Sequence, residues 1–156
     1  MRLYVVRHGE AEPQSSSDEA RALTGRGRDD VRGLWQALAA RGELPGPVYS
    51  SPYLRARQTA AEICSVYRRE LAGLSELLVP DGRPQEVFDW LLGLPLVDGM
   101  VLVSHMPLVA HLVGRIADGA DARVPMGVGS VALLDVEVPA VGGGRLIWLR
   151  SPGESL

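Results

Sequence analysis

The stretch Leu3-Tyr4-Val5-Val6-Arg7-His8-Gly9-Glu10 constrains the fold of this chain most, because an apolar run stops abruptly and delivers an arginine, a histidine and a glycine. Four consecutive apolar residues predict a strand buried on both faces, as in a parallel sheet covered by helices. Arg7 and His8 then leave the carboxyl end of that strand, where open α/β sheets bind ligands. A guanidinium beside an imidazole suits an anion: the arginine binds phosphate oxygens and lowers the histidine pKa toward its neutral, nucleophilic form. Gly9, lacking a Cβ, lets the backbone turn and lets an anion approach the main chain.

The pattern recurs at Met100-Val101-Leu102-Val103, which runs into Ser104-His105-Met106-Pro107 and again places a histidine at a junction. Between the two runs, Ala11 to Ala22 is a polar, serine-rich loop over the carboxyl edge. Thr24 offers an N-cap for a helix carrying Val31, Leu34, Trp35 and Leu38 at helical spacing and ending near Gly42. Pro47 to Ser50 predicts a short second strand. Ser51 as cap and Pro52 at the first helical position predict a helix start, which puts Arg55 in the first turn beside unpaired amide donors, a phosphate-binding geometry. Leu74 to Val79 predicts a short strand or extended edge carrying Glu76. Two further helices follow, one on Val87, Trp90, Leu91 and Leu94 and one on Val109, Leu112, Val113 and Ile116. Ser130 to Val138 and Arg145 to Arg150 read as paired strands. The alternation predicts a three-layer α/β/α sandwich with a mostly parallel central sheet, antiparallel near the C-terminus, in one domain over residues 1–156.

A formal net charge of -3 supplies no global basic field for nucleic acid or an acidic membrane, so any anion site must be local. No apolar run is long enough to span a bilayer, and the first strand begins directly after Met1, so a cleavable leader is not expected and the cytoplasm is the expected compartment. Cys64 is the sole cysteine, which excludes an internal disulfide and a cysteine-built metal site. The three histidines form no credible ligand cluster, so neither metal nor cofactor is expected.

Arg7, His8, Arg55 and His105 all fall on strand-to-helix junctions and are expected to gather on one sheet edge. Two arginines and two imidazoles can neutralise a phosphoryl group and spread its transition-state charge without a metal. His8 is the expected nucleophile, Arg7 and Arg55 the expected clamps, and His105 the expected donor to the same group. Arg21, in the loop before Leu23-Thr24, either reaches phosphate or holds that loop, and the second role is preferred. A structural alternative has Arg55 pairing with Glu62 or Asp29 on the surface.

Arg7-His8-Gly9-Glu10, the run from Ser51 to Thr59, and Ser104-His105 resemble the motifs of the histidine phosphatase (phosphoglycerate mutase-like) superfamily, in particular its small SixA-type phosphohistidine phosphatase branch. The resemblance implies the phosphoglycerate mutase-like fold, a phosphorylated His8, phosphate clamps at Arg7 and Arg55, and a second catalytic histidine at His105. It implies a hydrolase acting on phosphohistidine of a signalling protein, such as a histidine-phosphotransfer domain or a phosphotransferase-system carrier. Larger members carry a catalytic glutamate after the second helix, and Glu76 is the nearest match, although the glycine and tryptophan pattern that follows in the mutases is absent. The segment from Leu71 to Gly99 is too short for a lid domain, so an open pocket is expected. Two alternatives stay open: a small-molecule phosphomonoesterase, which needs Glu76 near the leaving group, and a phosphoryl-binding module without turnover, which has no use for two histidines.

Overall fold

Strand β1 (Arg2–Arg7) lies inside a six-stranded sheet, between β4 (Met100–Ser104), parallel to it, and β5 (Val131–Val136), antiparallel to it. The structure is a computed structural model describing residues 1–156. On the β4 side the sheet continues through β2 (Val48–Ser50) to the two-residue β3 (Gly73–Leu74), both parallel; beyond β5 lies β6 (Gly144–Arg150), antiparallel to β5. The mostly parallel sheet with an antiparallel component near the C-terminus follows from the alternation read in the sequence.

Successive residues of β1 point to opposite faces, and each face is buried by its own helices. Tyr4 and Val6 join Val31, Leu34, Trp35, Ala60 and Ile63 of α1 (Gly25–Ala40) and α2 (Leu54–Tyr67). Leu3 and Val5 join Val87, Leu91, Leu112 and Ile116 of α3 (Pro84–Leu92) and α4 (Leu108–Ala117). Trp35 is wholly buried against Tyr4, so its truncation to alanine removes about 3–5 kcal/mol of stability. No helix is long and apolar enough to cross a membrane.

Three local outcomes bear on the site. Thr24 caps α1 as expected, its hydroxyl accepting from Gly27 N. The second helix starts two residues later than the Ser51-Pro52 signal suggests: Tyr53 is the N-cap, and Ser51 Oγ accepts the Tyr53 N–H instead. The expected extended edge at 74–79 is mostly a single 3-10 turn, Glu76–Leu78, because Ser75 Oγ accepts the Leu77 N–H and closes the backbone there.

The parallel register sets Arg7 opposite Ser104 and Ser50 opposite Val103. Past those positions, His8 N donates to Ser104 O (3.0 Å) and Ser51 N to Val103 O (2.9 Å). His8, His105 and Ser51 therefore emerge side by side at the carboxyl edge. From neighbouring β1 and β4 the chain departs in opposite directions and to opposite faces, which makes this edge the crevice where such sheets bind ligands.

Candidate active site

Gly9 is required by close packing: a Cβ there would lie 2.9 Å from Val31 Cγ2 and 3.1 Å from Gly27 O. Its N–H donates to Thr59 Oγ1 (3.0 Å), so that amide is committed within the protein and does not face an anion as the sequence suggested. Its carbonyl meets His8 Nδ1 at 2.8 Å. A carbonyl only accepts, so Nδ1 carries the proton and Nε2 of neutral His8 presents a lone pair.

That lone pair faces the Arg55 guanidinium. Arg55 Nε lies 3.4 Å from His8 Nε2, and the His105 ring centroid is 5.0 Å from that of His8. Burial pushes the His8 pKa down to about 4; the Gly9 bond opposes this, and Arg55, Arg7 and Arg21 push further down. Burial likewise pushes His105 down to about 3, with His8 and Arg55 acting in the same direction and Asp18 against. Both imidazoles are neutral at pH 7. Arg7 Nη1 donates to Met126 O (2.8 Å), which fixes the guanidinium, while Arg7 Nε and His105 Nδ1 are buried without a hydrogen-bond partner. Buried polar groups are rarely left so, and here they belong to the cluster that the sequence assigned to an anion.

Arg55 pairs with neither Glu62 nor Asp29. Glu62 takes Arg32 (3.0 Å) and Arg28 (3.8 Å), leaving the Arg55 guanidinium on the site side of α2. Arg21 donates to Glu12 O (2.7 Å) and Asp18 Oδ1 (3.0 Å), which is the loop-holding role. Glu76 is exposed and makes no hydrogen bond or ion pair. No group of three or more His, Cys, Asp or Glu side chains is arranged to hold a metal ion.

Residues 3–79 match the family model described as histidine phosphatase superfamily (branch 1). The phosphohistidine phosphatase SixA of Escherichia coli (strain K12) is 31% identical over 156 residues, covering 97% of this chain and 94% of that protein. The chain belongs to the histidine phosphatase superfamily. A SixA homolog from Haemophilus influenzae is 32% identical over 126 residues, 74% of this chain and 77% of that one. The structure of the protein histidine phosphatase SixA complexed with tungstate superposes with a TM-score of 0.87 at 28% identity, covering 97% of each chain.

Three residues of this histidine phosphatase escaped the sequence reading. Ser51 Oγ lies 2.7 Å from His105 Nε2. Thr59 Oγ1, besides accepting from Gly9, donates to Arg55 O (2.8 Å) and so ties the arginine helix to the histidine loop. Asp18 accepts from Arg55 twice, at its backbone oxygen (2.7 Å) and at Oδ2 (3.2 Å). Thr59 had a signal, since four residues after Arg55 lies on the same helical face. Asp18 had a weaker one, its spacing of three from Arg21.

Proposed function

We propose that this chain is a phosphohistidine phosphatase that works through a covalent phosphohistidine on His8, that residues 1–156 act as one domain, and that it acts in the cytoplasm on phosphohistidine borne by a protein. The observation that carries the reading is the unprotonated His8 Nε2 beside Arg55, fixed by the Nδ1 bond to Gly9. The Nε2 lone pair forms a bond to phosphorus as the bond to the leaving imidazole nitrogen breaks. Positive charge then grows on the His8 ring, where the Gly9 carbonyl meets it. Arg7 and Arg55 hold the equatorial oxygens, and His105 donates from Nδ1. Water next adds to phosphorus as the Nε2–P bond breaks, and phosphate leaves as H2PO4−, carrying both water hydrogens.

The E. coli and H. influenzae relatives named for phosphohistidine support this substrate class. So does the leaving-group chemistry: an imidazole protonated on its distal nitrogen leaves neutral and needs no enzyme acid, which agrees with an exposed Glu76. A phosphorylated histidine peptide and a phosphoserine peptide of the same sequence test the reading. Release of phosphate from the first, abolished in His8→Ala with the fold intact by circular dichroism, is expected; equal turnover of both peptides contradicts the substrate class.

A further inference from the structure

We infer that Asp18 is the specificity-determining residue of this site: its carboxylate, poised beside Arg55, accepts the distal ring N–H of the phosphohistidine leaving group and so selects it over phosphate esters. The inference rests on the substrate class proposed above and adds the residue that enforces it.

Asp18 is the one carboxylate bonded to a member of the cluster. Its Oδ2 takes Arg55 Nη2 at 3.2 Å, on the guanidinium edge whose Nε faces the His8 nucleophile, and its Oδ1 takes Arg21 Nη1 at 3.0 Å. Arg55 also holds the Asp18 carbonyl, which anchors the main chain, while the side chain stays 54% exposed. Each carboxylate oxygen accepts more than one hydrogen bond, so an outward lone pair remains on both. Arg21, with Arg55 beside it, holds the carboxyl below the usual range, so it is an acceptor and not a proton donor at neutral pH.

An anion next to a phosphate clamp opposes every phosphate it admits, and in a clamp built only for affinity it is counterproductive. It becomes useful when the ring that bears the phosphoryl group is itself positively charged before the P–N bond breaks. In-line attack by His8 drives the leaving group away from the nucleophile, and the inference sets it against the exposed Asp18 carboxylate. A phosphohistidine protonated at its distal nitrogen brings an N–H there. A charge-assisted bond to Asp18 keeps that proton in place until the P–N bond breaks and the imidazole departs neutral. A phosphate ester has no such proton, and the negative charge that grows on its leaving oxygen is repelled.

The test compares kcat/KM on an Nε2-phosphorylated histidine peptide and on p-nitrophenyl phosphate, in the wild type, Asp18→Asn and Asp18→Ala. The ratio of the two is expected to fall about tenfold or more in both variants. A general loss of structure lowers both substrates together and leaves the ratio alone, so an unchanged ratio overturns the inference. Tighter inhibition by inorganic phosphate with an unchanged ratio also overturns it, and identifies Asp18 as a competitor for the anion seat. A wild type that hydrolyses the ester but not the peptide overturns the substrate class, and the inference with it; failure of the ratio alone leaves the substrate class standing.

Discussion

Ser51 Oγ lies 2.7 Å from His105 Nε2, deep in the protein, and this contact decides which nitrogen of His105 is a donor. Ser51 Oγ already accepts the Tyr53 N–H (3.2 Å), and the imidazole nitrogen is the acceptor available to its own proton. With the Ser51 proton directed at Nε2, that nitrogen accepts and the proton of neutral His105 sits on Nδ1, the nitrogen without a partner. The two histidines share one tautomer for different reasons. His8 is set by a carbonyl, which leaves its Nε2 a lone pair as the proposed attack on phosphorus requires; His105 is set by a hydroxyl, which leaves its Nδ1 a proton to donate.

Ser51→Ala removes that constraint. A drop of about tenfold in kcat/KM is expected, together with a change in the 15N imidazole shifts of His105 from a single Nδ1–H form to a mixture. Unchanged nitrogen shifts show that Ser51 does not set the tautomer.

Thr59→Val keeps the shape of a fully buried side chain but strands the Gly9 N–H. The stranded donor costs about 1–3 kcal/mol of stability, measured by urea unfolding. It also loosens the Gly9 carbonyl that fixes His8, so kcat falls more than KM changes. Thr59→Ser retains the hydroxyl and is expected to recover most of the kcat.

Both buried imidazoles have pKa values below the unfolded value of about 6.5, at about 4 for His8 and about 3 for His105. Between those limits the unfolded chain binds more protons, so stability is full above about pH 6.5 and declines as pH falls toward 4 and below. The slope approaches about 1.4 kcal/mol per pH unit for each histidine. Chemical unfolding at successive pH values from 7 to 4.5 checks this. A decline absent from the double variant His8→Asn, His105→Asn assigns it to these rings, and an equal decline in that variant assigns it elsewhere.

Glu76→Gln is expected to change kcat/KM on a phosphohistidine peptide by less than about threefold, since the leaving imidazole carries its own proton. A loss of a hundredfold restores the glutamate as proton donor, the role suggested by the larger family members.

The strand ends were legible because burial on both faces leaves an unbroken apolar run, and two such runs, Leu3–Val6 and Met100–Val103, are each followed two positions on by a histidine. Arg55 was legible because Pro52 marks a helix start even when the cap falls at Tyr53. What the sequence concealed were contacts made across the fold. Ser51 reads as a helix cap, and its use by His105 depends on strand register. Asp18 sits in a polar loop with no periodicity, where only the folded chain brings it to Arg55, thirty-seven positions on. Glu76 drew attention through resemblance alone, and its surroundings depend on a 3-10 turn that the pattern of apolar residues does not specify.

In the proposed reaction His8 Nε2 becomes bonded to phosphorus. Enzyme mixed with a 32P-labelled phosphohistidine peptide and quenched in base within milliseconds tests it most directly. An acid-labile, base-stable label is expected on the peptide containing His8, lost in His8→Ala and present in His105→Ala. Turnover with no label at His8, or a label that persists in His8→Ala, contradicts it.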